Sequence, residues 1–215
     1  MQVKRDPSTA RAKAPVDLRD ALRRSPVLAV LRGKDAEQSV RAADACWAAG
    51  VELVEVSLSH DRSLEAVRAV CRRAAELGRT AGAGTVYTPD ELRAVAAAGA
   101  TFAVAPGLDA DAVQAARALG LPYLPGVATP SDVQAAVRLG CRTLKLFPAG
   151  ALGPGWIRAL AGPFPDVEFV AVGGLSAANA EEFVAAGAVA VGIGSGLDED
   201  ELPGLLDRLR SARSR

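Results

Sequence analysis

The sequence contains very little lysine. Its 215 residues include 25 basic side chains, and only four of these are lysines: Lys4, Lys13, Lys34 and Lys145. The first three fall in the N-terminal segment or in a loop, whereas Lys145 stands in the middle of the apolar segment 143–147. Arginine cannot act as an amine nucleophile, and lysine can. In a chain that otherwise carries its positive charge on arginine, this placement indicates a chemical role for Lys145.

Signals of several protein classes are also missing. Basic and acidic side chains balance at 25 each, so the charge gives no sign of nucleic acid or an anionic membrane as a partner. No apolar stretch approaches the length of a membrane span and no signal-peptide pattern is present, so we expect neither membrane insertion nor export. The cysteines Cys46, Cys71 and Cys141 are odd in number and lack metal-ligand spacing. They predict reduced, buried thiols in a cytoplasmic protein.

From Val16 onward the chain repeats one unit: an alanine-rich amphipathic segment, a glycine and a short apolar segment. A glycine in the left-handed conformation commonly ends a helix, and proline is favoured where a helix begins. These signals predict strands at residues 27–32, 51–58, 80–84, 101–105, 121–125, 142–147, 167–172 and 188–193. They predict helices at residues 36–49, 63–77, 89–98, 109–119, 130–139, 153–161, 176–186 and 198–213.

This alternation of strands and helices predicts a parallel sheet, and eight repeats favour its closure into a barrel. An open doubly wound sheet is the alternative, but no strand leads into the glycine fingerprint of a dinucleotide-binding fold. The chain shows no internal linker. We therefore predict an α/β protein: a single (β/α)8 TIM barrel over residues 15–215, with a short N-terminal helix, after a disordered polar tail over residues 1–14.

The active sites of such barrels lie at the C-terminal ends of the strands. Alternation along the second strand places Glu55, Ser57 and Ser59 on the face opposite its apolar side chains, so we expect Glu55 to point into the barrel. The same alternation points Lys145 inward from the sixth strand. Such a pair is either a buried ion pair that only specifies packing, or an amine nucleophile with a general acid/base. Burial and a nearby Arg32 would lower the pKa of Lys145.

Glycine-rich turns follow the seventh and eighth strands. The seventh strand ends in Gly173-Gly174 before a helix, and the eighth ends in Gly194-Ser195-Gly196. Paired glycines expose backbone N–H groups, and a helix N-terminus beside them favours a phosphate group. Glycine also serves tight turns, so it is the presence of two such turns on adjacent strands that predicts a phosphate site.

Together these residues resemble the 2-keto-3-deoxy-6-phosphogluconate (KDPG) / 4-hydroxy-2-oxoglutarate (KHG) aldolases. The resemblance extends from about Val27 to Leu197, and the order and spacing of its motifs make it specific. The motifs are Ala29-Val30-Leu31-Arg32, Val54-Glu55-Val56-Ser57-Leu58, Gly82-Ala83-Gly84-Thr85-Val86, Ala105-Pro106-Gly107, Pro125-Gly126-Val127, Leu144-Lys145-Leu146-Phe147-Pro148, Val172-Gly173-Gly174 and Gly194-Ser195.

The resemblance implies a class I (Schiff-base) aldolase in which Lys145 forms an imine with a 2-keto acid and Glu55 acts as the general acid and base. It implies binding roles for seven further residues: Arg32 and Thr85 for the substrate carboxylate, Pro106 and Phe147 for the pocket wall, and Gly173, Gly174 and Ser195 for the phosphate. It also implies a homotrimer that acts on a small keto acid or sugar-acid phosphate and needs no metal or other cofactor.

Two positions bear on substrate specificity. Ser59 stands where some members of the family carry Arg and others Thr. Val172 stands where many phosphogluconate-specific members carry Thr, and it matches the members that cleave the galactonate epimer. Valine cannot donate a hydrogen bond near substrate C4, so KDPG, its C4 epimer and 4-hydroxy-2-oxoglutarate all stay open as substrates. We expect His60 to be a solvated loop residue, with the rim of the site as the alternative.

Two rival functions differ in what they require of these residues. A phosphate-binding barrel isomerase or epimerase uses paired acid and base groups and needs no inward lysine. A catalytically inactive barrel that serves as a binding module has no need for the intact set of Lys145, Glu55, Arg32 and Thr85. The presence of the whole set favours the aldolase.

Overall fold

The computed structural model describes residues 17–58, 63–194 and 200–213, and within these ranges it confirms the predicted barrel of parallel strands. The strands are β1 (Val27–Leu31), β2 (Leu53–Ser57), β3 (Thr80–Gly84), β4 (Ala103–Val104), β5 (Tyr123–Leu124), β6 (Gly126–Val127), β7 (Thr143–Leu146), β8 (Glu168–Val172) and β9 (Ala190–Ile193). The helices are α1 (Leu18–Arg24), α2 (Ala36–Ala48), α3 (Ser63–Glu76), α4 (Pro89–Ala97), α5 (Ala110–Ala118), α6 (Pro130–Arg138), α7 (Ala149–Leu152), α8 (Pro154–Ala161), α9 (Ala180–Ala185) and α10 (Leu202–Arg213).

The strands pair in parallel in the order β5-β4-β3-β2-β1-β9-β8-β7-β6. β5 and β6 are the two halves of one strand and are separated only by Pro125. The split falls at this residue because proline has no backbone N–H to donate to a ladder. Since β5 pairs with β4 and β6 pairs with β7, the divided strand joins the two ends of the sheet and closes the barrel.

Local sequence signals account for most helix boundaries. α2, α4 and α6 each begin with a capping box, in which the N-cap residue and the third helical residue hydrogen-bond to each other's backbone. Proline occupies the first turn of α4 and α6. Gly50 and Gly99 follow α2 and α4 with φ angles of 97° and 94°, which residues with a Cβ rarely adopt. Each helix therefore ends where its sequence directs the chain back into the next strand.

The core has two layers, one inside the barrel wall and one outside it. The inner layer is made of the inward side chains of the strands and their loops: Leu28, Val30, Leu53, Phe102, Val104, Leu124, Val170, Val172 and Ala190. α1 packs Leu18, Ala21 and Leu22 against this layer from the N-terminal end of the barrel. The outer layer lies between the strands and the surrounding helices. α1 thus fills the N-terminal end of the barrel with apolar side chains. The C-terminal end has no such plug among the described residues, and inward polar side chains lie there.

Three helical regions differ from those expected from the sequence. The last helix, expected over 198–213, begins at Leu202 after a turn at residues 200 and 201. A short helix, α7, precedes the one predicted at 153–161. The helix predicted at 176–186 is observed as Ala180–Ala185, because residues 177–179 form a turn. In this turn the Asn179 side chain accepts a hydrogen bond from the Ser176 N–H (2.9 Å) and donates one to the Gly174 carbonyl (3.1 Å). Asparagine side chains form such local bonds in competition with the helix.

Candidate active site

A cavity of about 390 Å³ opens at the C-terminal end of the barrel, where the active sites of this fold lie. β1, β2, β7, β8 and β9 and the loops that follow them supply its walls: Val30, Arg32, Glu55, Lys145, Phe147, Pro148, Ala151, Val172, Gly173, Gly174, Leu175, Gly192 and Gly194. The structure thus brings together seven residues singled out from the sequence: Arg32, Glu55, Lys145, Phe147, Val172, Gly173 and Gly174.

Glu55 projects from β2 into the barrel and is 1% exposed. Its carboxylate lies against Gly84 of β3, where an added Cβ would come within 1.5 Å of Oε1. A side chain at position 84 would therefore displace the Glu55 carboxylate from this place. Oε2 is buried, and among the described residues it has no hydrogen-bond partner. A buried polar atom without a partner is costly, so this oxygen is available to a proton or to a bound ligand.

Lys145 projects from β7 into the same cavity and is 5% exposed. Its backbone N–H donates to the Pro125 carbonyl (2.9 Å) at the break in the divided strand, which fixes its height in the barrel. Its Nζ lies 4.9 Å from the centroid of the Phe147 ring. An aromatic face stabilises a nearby positive charge, so Phe147 would favour both the protonated amine and a protonated imine at this position.

The pKa values of the two buried groups shift in opposite directions. Burial raises the pKa of Glu55, against the positive charges of Lys145 and Arg32, which lower it. Burial also lowers the pKa of Lys145, with Glu55 opposing the shift and Arg32 adding to it. The expected lowering of the lysine pKa is thus present. Both shifts favour the neutral forms, a free amine and a protonated carboxyl, which are the forms of a nucleophile and a general acid.

The interpretation of Lys145 and Glu55 as a structural ion pair does not fit this geometry. Within the described parts of the chain, none of the ion pairs includes either side chain. A buried ion pair is stable only when its partners meet with good geometry and further hydrogen bonds. Here the two groups face one cavity without forming such a pair, and that leaves both of them available for a substrate.

Arg32 differs from these two residues because its side chain is exposed. It follows β1 at the mouth of the cavity, and it also lines an open groove with Lys34 and Arg41. Its charge still reaches the buried pair, since it affects the pKa of both Glu55 and Lys145. This position suits a guanidinium that meets the anionic end of a ligand at the entrance of the site.

Two other residues predicted to bind substrate lie beside the cavity rather than in its wall. Pro106 lines an adjoining cavity of about 340 Å³, which shares the Phe147 side chain with the main one. Thr85 is half-buried, and its hydroxyl hydrogen-bonds to the Ser57 hydroxyl (2.9 Å). Thr85 directly follows Gly84, which contacts Glu55. Both residues therefore border the site, after the neighbouring strands β3 and β4.

The turn after β8 requires both of its glycines. Gly173 and Gly174 have φ angles of 94° and 75°, and a Cβ on Gly173 would lie 2.8 Å from the Phe147 ring. No acceptor among the described residues is found for the Gly174 N–H, so it is available to an anion. The helix expected to start at 176 does not contribute, because α9 begins only at Ala180. Ser195, Ser59 and His60 lie outside the described residues.

Sequence reasoning missed two features of the site. Val172 packs over Gly192 of β9, where a Cβ would come 2.8 Å from a Val172 methyl group. Ser57 was placed on the inward face beside Glu55, but its contact with Thr85 was not foreseen. The alternation along β2 indicated that Ser57 points inward, but not which residue it contacts. The need for glycine at 192 depends on how two strands pack side by side, which the pattern of one strand does not show.

Further findings concern metals, membranes and cysteines. The described residues include no group of three or more His, Cys, Asp or Glu side chains that could hold a metal ion. Among the described helices, none is both long enough and apolar enough to cross a membrane. None of the three cysteines is in a disulfide. Cys46 and Cys71 are buried as expected, whereas Cys141 is only partly buried, so the expectation of burial was wrong for Cys141.

Comparison with known proteins gives a consistent result. The chain matches the family described as KDPG and KHG aldolase over residues 18–204. It is 38% identical over 161 residues to the KHG/KDPG aldolase of Escherichia coli K12, an alignment that covers 74% of this chain and 75% of that protein. It is 31% identical over 173 residues to the 2-dehydro-3-deoxy-6-phosphogalactonate aldolase of the same organism, with 80% and 84% covered.

A solved structure extends the comparison to the chemistry. The KDPG aldolase of Legionella pneumophila, with pyruvate captured as a covalent carbinolamine intermediate, matches with a TM-score of 0.77 at 30% identity. The match covers 90% of this chain and 95% of that one. A carbinolamine is the adduct of an amine with a ketone, which is the chemistry that a buried neutral lysine can perform. The chain belongs to the KDPG and KHG aldolase family, as its motifs predicted, and is a class I aldolase.

Proposed function

We propose that this aldolase reversibly cleaves 2-keto-3-deoxy-6-phosphogluconate, its galactonate epimer or 4-hydroxy-2-oxoglutarate to pyruvate and an aldehyde, through an imine on Lys145. The observation that carries the proposal is the buried Lys145 amine, whose pKa is lowered, in a cavity with an unpartnered Glu55 carboxylate oxygen. The names of the relatives, a KHG/KDPG aldolase and a phosphogalactonate aldolase, support this substrate class.

The reaction follows from these two groups. The Lys145 amine attacks C2 of the keto acid, and Glu55 supplies and removes the protons that turn the carbinolamine into an imine with loss of water. Glu55 then takes the proton of the C4 hydroxyl, the C3–C4 bond breaks, and its electron pair moves into the protonated imine to give an enamine. The aldehyde leaves, C3 is protonated, and water hydrolyses the imine to release pyruvate. For KDPG the aldehyde is D-glyceraldehyde 3-phosphate.

The remaining roles are proposals of the same kind. Arg32 and Thr85 bind the carboxylate of the keto acid, and the Phe147 ring forms one wall against Lys145, with Pro106 behind it. Backbone N–H groups at Gly173 and Gly174 bind the phosphate, together with Ser195. The positive φ angles and the unpartnered Gly174 N–H support the phosphate site.

Val172 is proposed to relax the specificity at C4. It lines the cavity and is 6% exposed, and its methyl groups cannot donate a hydrogen bond to the C4 hydroxyl. We expect the phosphorylated epimers to be cleaved with kcat/KM values within about tenfold of each other. Val172→Thr should raise the preference for one epimer, and Ser59 is a second candidate for the same role.

We also propose that the protein is a cytoplasmic homotrimer that works without a metal. The resemblance to the family supports the trimer, and the cysteines outside disulfides support a reducing compartment. The mass of the particle in solution tests the trimer. Full activity after treatment with a chelator would support the metal-free mechanism, and activity regained only on adding a divalent metal would refute it.

The first experiment is reduction with borohydride in the presence of pyruvate, followed by peptide mass mapping. We expect a pyruvate adduct on Lys145 and, in a parallel assay, release of pyruvate from KDPG or its epimer. Folded protein that gives no adduct but converts a sugar phosphate would instead support the isomerase or epimerase. Pyruvate binding without turnover of any of the three substrates would support the inactive binding module.

A further inference from the structure

The ladder between β3 and β4 contains an extra residue at Thr85. The Ala83 N–H donates to the Phe102 carbonyl (3.1 Å), so regular pairing would have the Thr85 N–H donate to the Val104 carbonyl. Instead, the Val86 N–H occupies that acceptor (3.0 Å). Thr85 is therefore bulged out of the ladder, and such bulges commonly redirect a side chain beside an active site.

Thr85 also has an unusual backbone conformation. Its φ angle is 62°, and within the described ranges it is the one residue other than glycine with a positive φ. A β-branched residue is strongly disfavoured in this region and persists there only when its surroundings hold it. The bulge therefore needs contacts that fix it from several sides.

The contacts on both sides of Thr85 are present. Before it, the Gly84 carbonyl accepts a hydrogen bond from the Leu58 N–H (2.8 Å). After it, the Val86 carbonyl accepts one from the Tyr123 hydroxyl (3.0 Å). The contact to the Thr85 side chain itself is the 2.9 Å hydrogen bond to the Ser57 hydroxyl. Ser57 lies two residues after Glu55 on the same face of β2 and is 2% exposed.

Either hydroxyl can be the donor in this hydrogen bond, and burial favours Ser57 as the donor, because its proton would otherwise have no acceptor in the described part of the chain. The Ser57 hydroxyl is buried, and Thr85 is its only hydrogen-bond partner among the described residues. If Ser57 donates its proton to Thr85 Oγ1, the Thr85 hydroxyl keeps its own proton for another acceptor. The Thr85 N–H, displaced from the ladder, also has no acceptor among the described residues. One residue thus presents two donors, next to the glycine that contacts the Glu55 carboxylate.

We infer that Ser57 is a positioning residue: its hydroxyl holds the bulged, left-handed Thr85 so that the Thr85 N–H and hydroxyl together receive the carboxylate of the keto acid. This inference rests on the proposed function, because it assigns a ligand to that same site. Ser57 acts through Thr85 and does not itself touch the reacting atoms. The interaction with the carboxylate is present both in the bound substrate and in the transition state. Its loss should therefore raise KM and leave kcat unchanged.

The test compares Ser57→Ala with Ser57→Thr in the full-length protein. In Ser57→Ala we expect the half-saturating pyruvate concentration for borohydride trapping, and the KM for cleavage, to rise about tenfold, the usual loss for one hydrogen bond. The kcat should stay within about twofold. Ser57→Thr keeps the hydroxyl and should restore most of the affinity. Ser25→Ala is the matched control, since Ser25 is equally buried and donates to the Val27 carbonyl near the opposite end of the barrel.

A double-mutant cycle separates positioning from packing. Thr85→Gly accepts a positive φ without strain but lacks the hydroxyl that Ser57 holds. If Ser57 acts through Thr85, Ser57→Ala should have no further effect on KM in the Thr85→Gly background. An equal rise of KM in both backgrounds, or a fall of kcat with no change of KM, would overturn the inference.

The same measurements distinguish the inference from the proposed function. Wild-type protein that gives no Lys145 adduct would remove the proposed function, and the carboxylate site with it. If wild type forms the adduct and Ser57→Ala saturates at the same pyruvate concentration, then the aldolase proposal stands and the role of Ser57 is wrong. Melting temperatures of all variants establish that each one is folded during the assay.

Discussion

The two ends of the barrel are built on different principles. At the N-terminal end, α1 packs apolar side chains into the barrel, and its arginines pair with glutamates at the starts of the strands: Arg19 and Arg23 with Glu168, and Arg24 with Glu52. At the C-terminal end, Glu55 and Lys145 are buried without an ion pair, and glycines with positive φ form the wall. The charged side chains at the first end pair within the protein, whereas at the other end a buried carboxylate oxygen and a buried amine are left for a proton or a ligand.

The difference shows where the fold tolerates features that lower its stability but serve its function. Buried polar groups without partners and left-handed backbone both destabilise the folded state. In this protein the unpartnered Oε2 of Glu55 and the left-handed, β-branched Thr85 both lie at the end where the cavity opens. The opposite end and the two core layers must compensate for them. Substitutions at the cavity end should therefore change activity, with or without a change in stability, whereas those at the opposite end should change stability alone.

The largest effect is expected at Lys145. Lys145→Met conserves most of the side-chain volume but removes the amine, so kcat should fall by at least about 10⁴-fold and no pyruvate adduct should form. Stability should hold or increase, because a desolvated amine is replaced by an apolar group. Turnover assays, adduct mapping and thermal unfolding measure the three outcomes.

The matched control for this variant is Lys34→Met, on the exposed loop after β1. It should keep both the adduct and the turnover. Lys145→Met with more than a few per cent of wild-type activity would show that the inward amine is not the nucleophile.

Glu55→Gln should have the next largest effect. Loss of the general acid/base should reduce kcat by about 10²- to 10⁴-fold. The charge of Glu55 raises the pKa of Lys145, so its removal should lower that pKa further. The amine then stays neutral to lower pH, and the acidic limb of the rate of adduct formation should move to lower pH. A pH series of borohydride trapping rates measures the shift.

Glu52→Gln is the control for Glu55→Gln, because Glu52 precedes the same strand and pairs with Arg24 at the other end of the barrel. It should leave both kcat and the pH profile unchanged. If Glu55→Gln moved the acidic limb to higher pH, the electrostatic coupling described for this pair would be wrong.

Gly173→Ala should affect both activity and stability, to a smaller extent. The new methyl group would meet the Phe147 ring at 2.8 Å, and the backbone has a φ of 94°. We expect a loss of about 1–3 kcal/mol in the free energy of unfolding and a kcat/KM lowered about tenfold for phosphorylated substrates.

Gly155→Ala in α8 provides the comparison, since nothing lies within 4 Å of its added Cβ and its φ is not positive. It should be neutral or slightly stabilising. Chemical denaturation measures the free energy of unfolding of both variants. If that free energy and kcat/KM fell equally in Gly155→Ala and Gly173→Ala, the special requirement for glycine at 173 would be contradicted.

The smallest effect is expected at the N-terminal end. Burial raises the pKa of Glu168, but the hydrogen bonds and charges of Arg19 and Arg23 together outweigh it and hold that pKa below its usual value. The stability that this pairing contributes is therefore present above the pKa of Glu168 in the unfolded chain and is lost as pH falls through the lower folded pKa. Glu168→Gln should cost about 0.5 kcal/mol near pH 7, typical of a partly exposed ion pair, and nothing at a pH where both forms are protonated.

Urea unfolding of Glu168→Gln and wild type at several pH values measures this difference, and kcat should be the same for both. A drop in kcat without a drop in stability would break the division of roles between the two ends. Such a result would mean that a change at the N-terminal end of the barrel affects the active-site cavity at the other end.

Much of the site could be predicted because its signals are local or periodic. Alternation along β2 and β7 placed Glu55 and Lys145 inside the barrel, and the motifs identified the family before the geometry was known. The glycines after β8 were recognised from the sequence and do adopt positive φ. These predictions depended on which face of one strand a residue occupies, and period-two patterns contain that information.

The features that were missed depend on contacts between strands. A Cβ at 84 would clash with Glu55 on the neighbouring strand, and a Cβ at 192 would clash with Val172. The turn that delays α9 depends on one asparagine side chain, and the bulge at Thr85 depends on a shift of one residue between two ladders. The sequence pattern of a single strand does not show how that strand is aligned with its neighbour.

The sequence by itself determined the repeated strand–helix unit, the inward faces of the strands and the one lysine suited to act as a nucleophile. Each of these follows from local propensity, from period-two burial or from the chemistry of a single side chain. Only the tertiary structure decided that the two buried groups face one cavity without pairing, and that Thr85 is held out of the ladder by Ser57. Those properties arise when eight strands close on one another, because burial and register are set by all the neighbours at once.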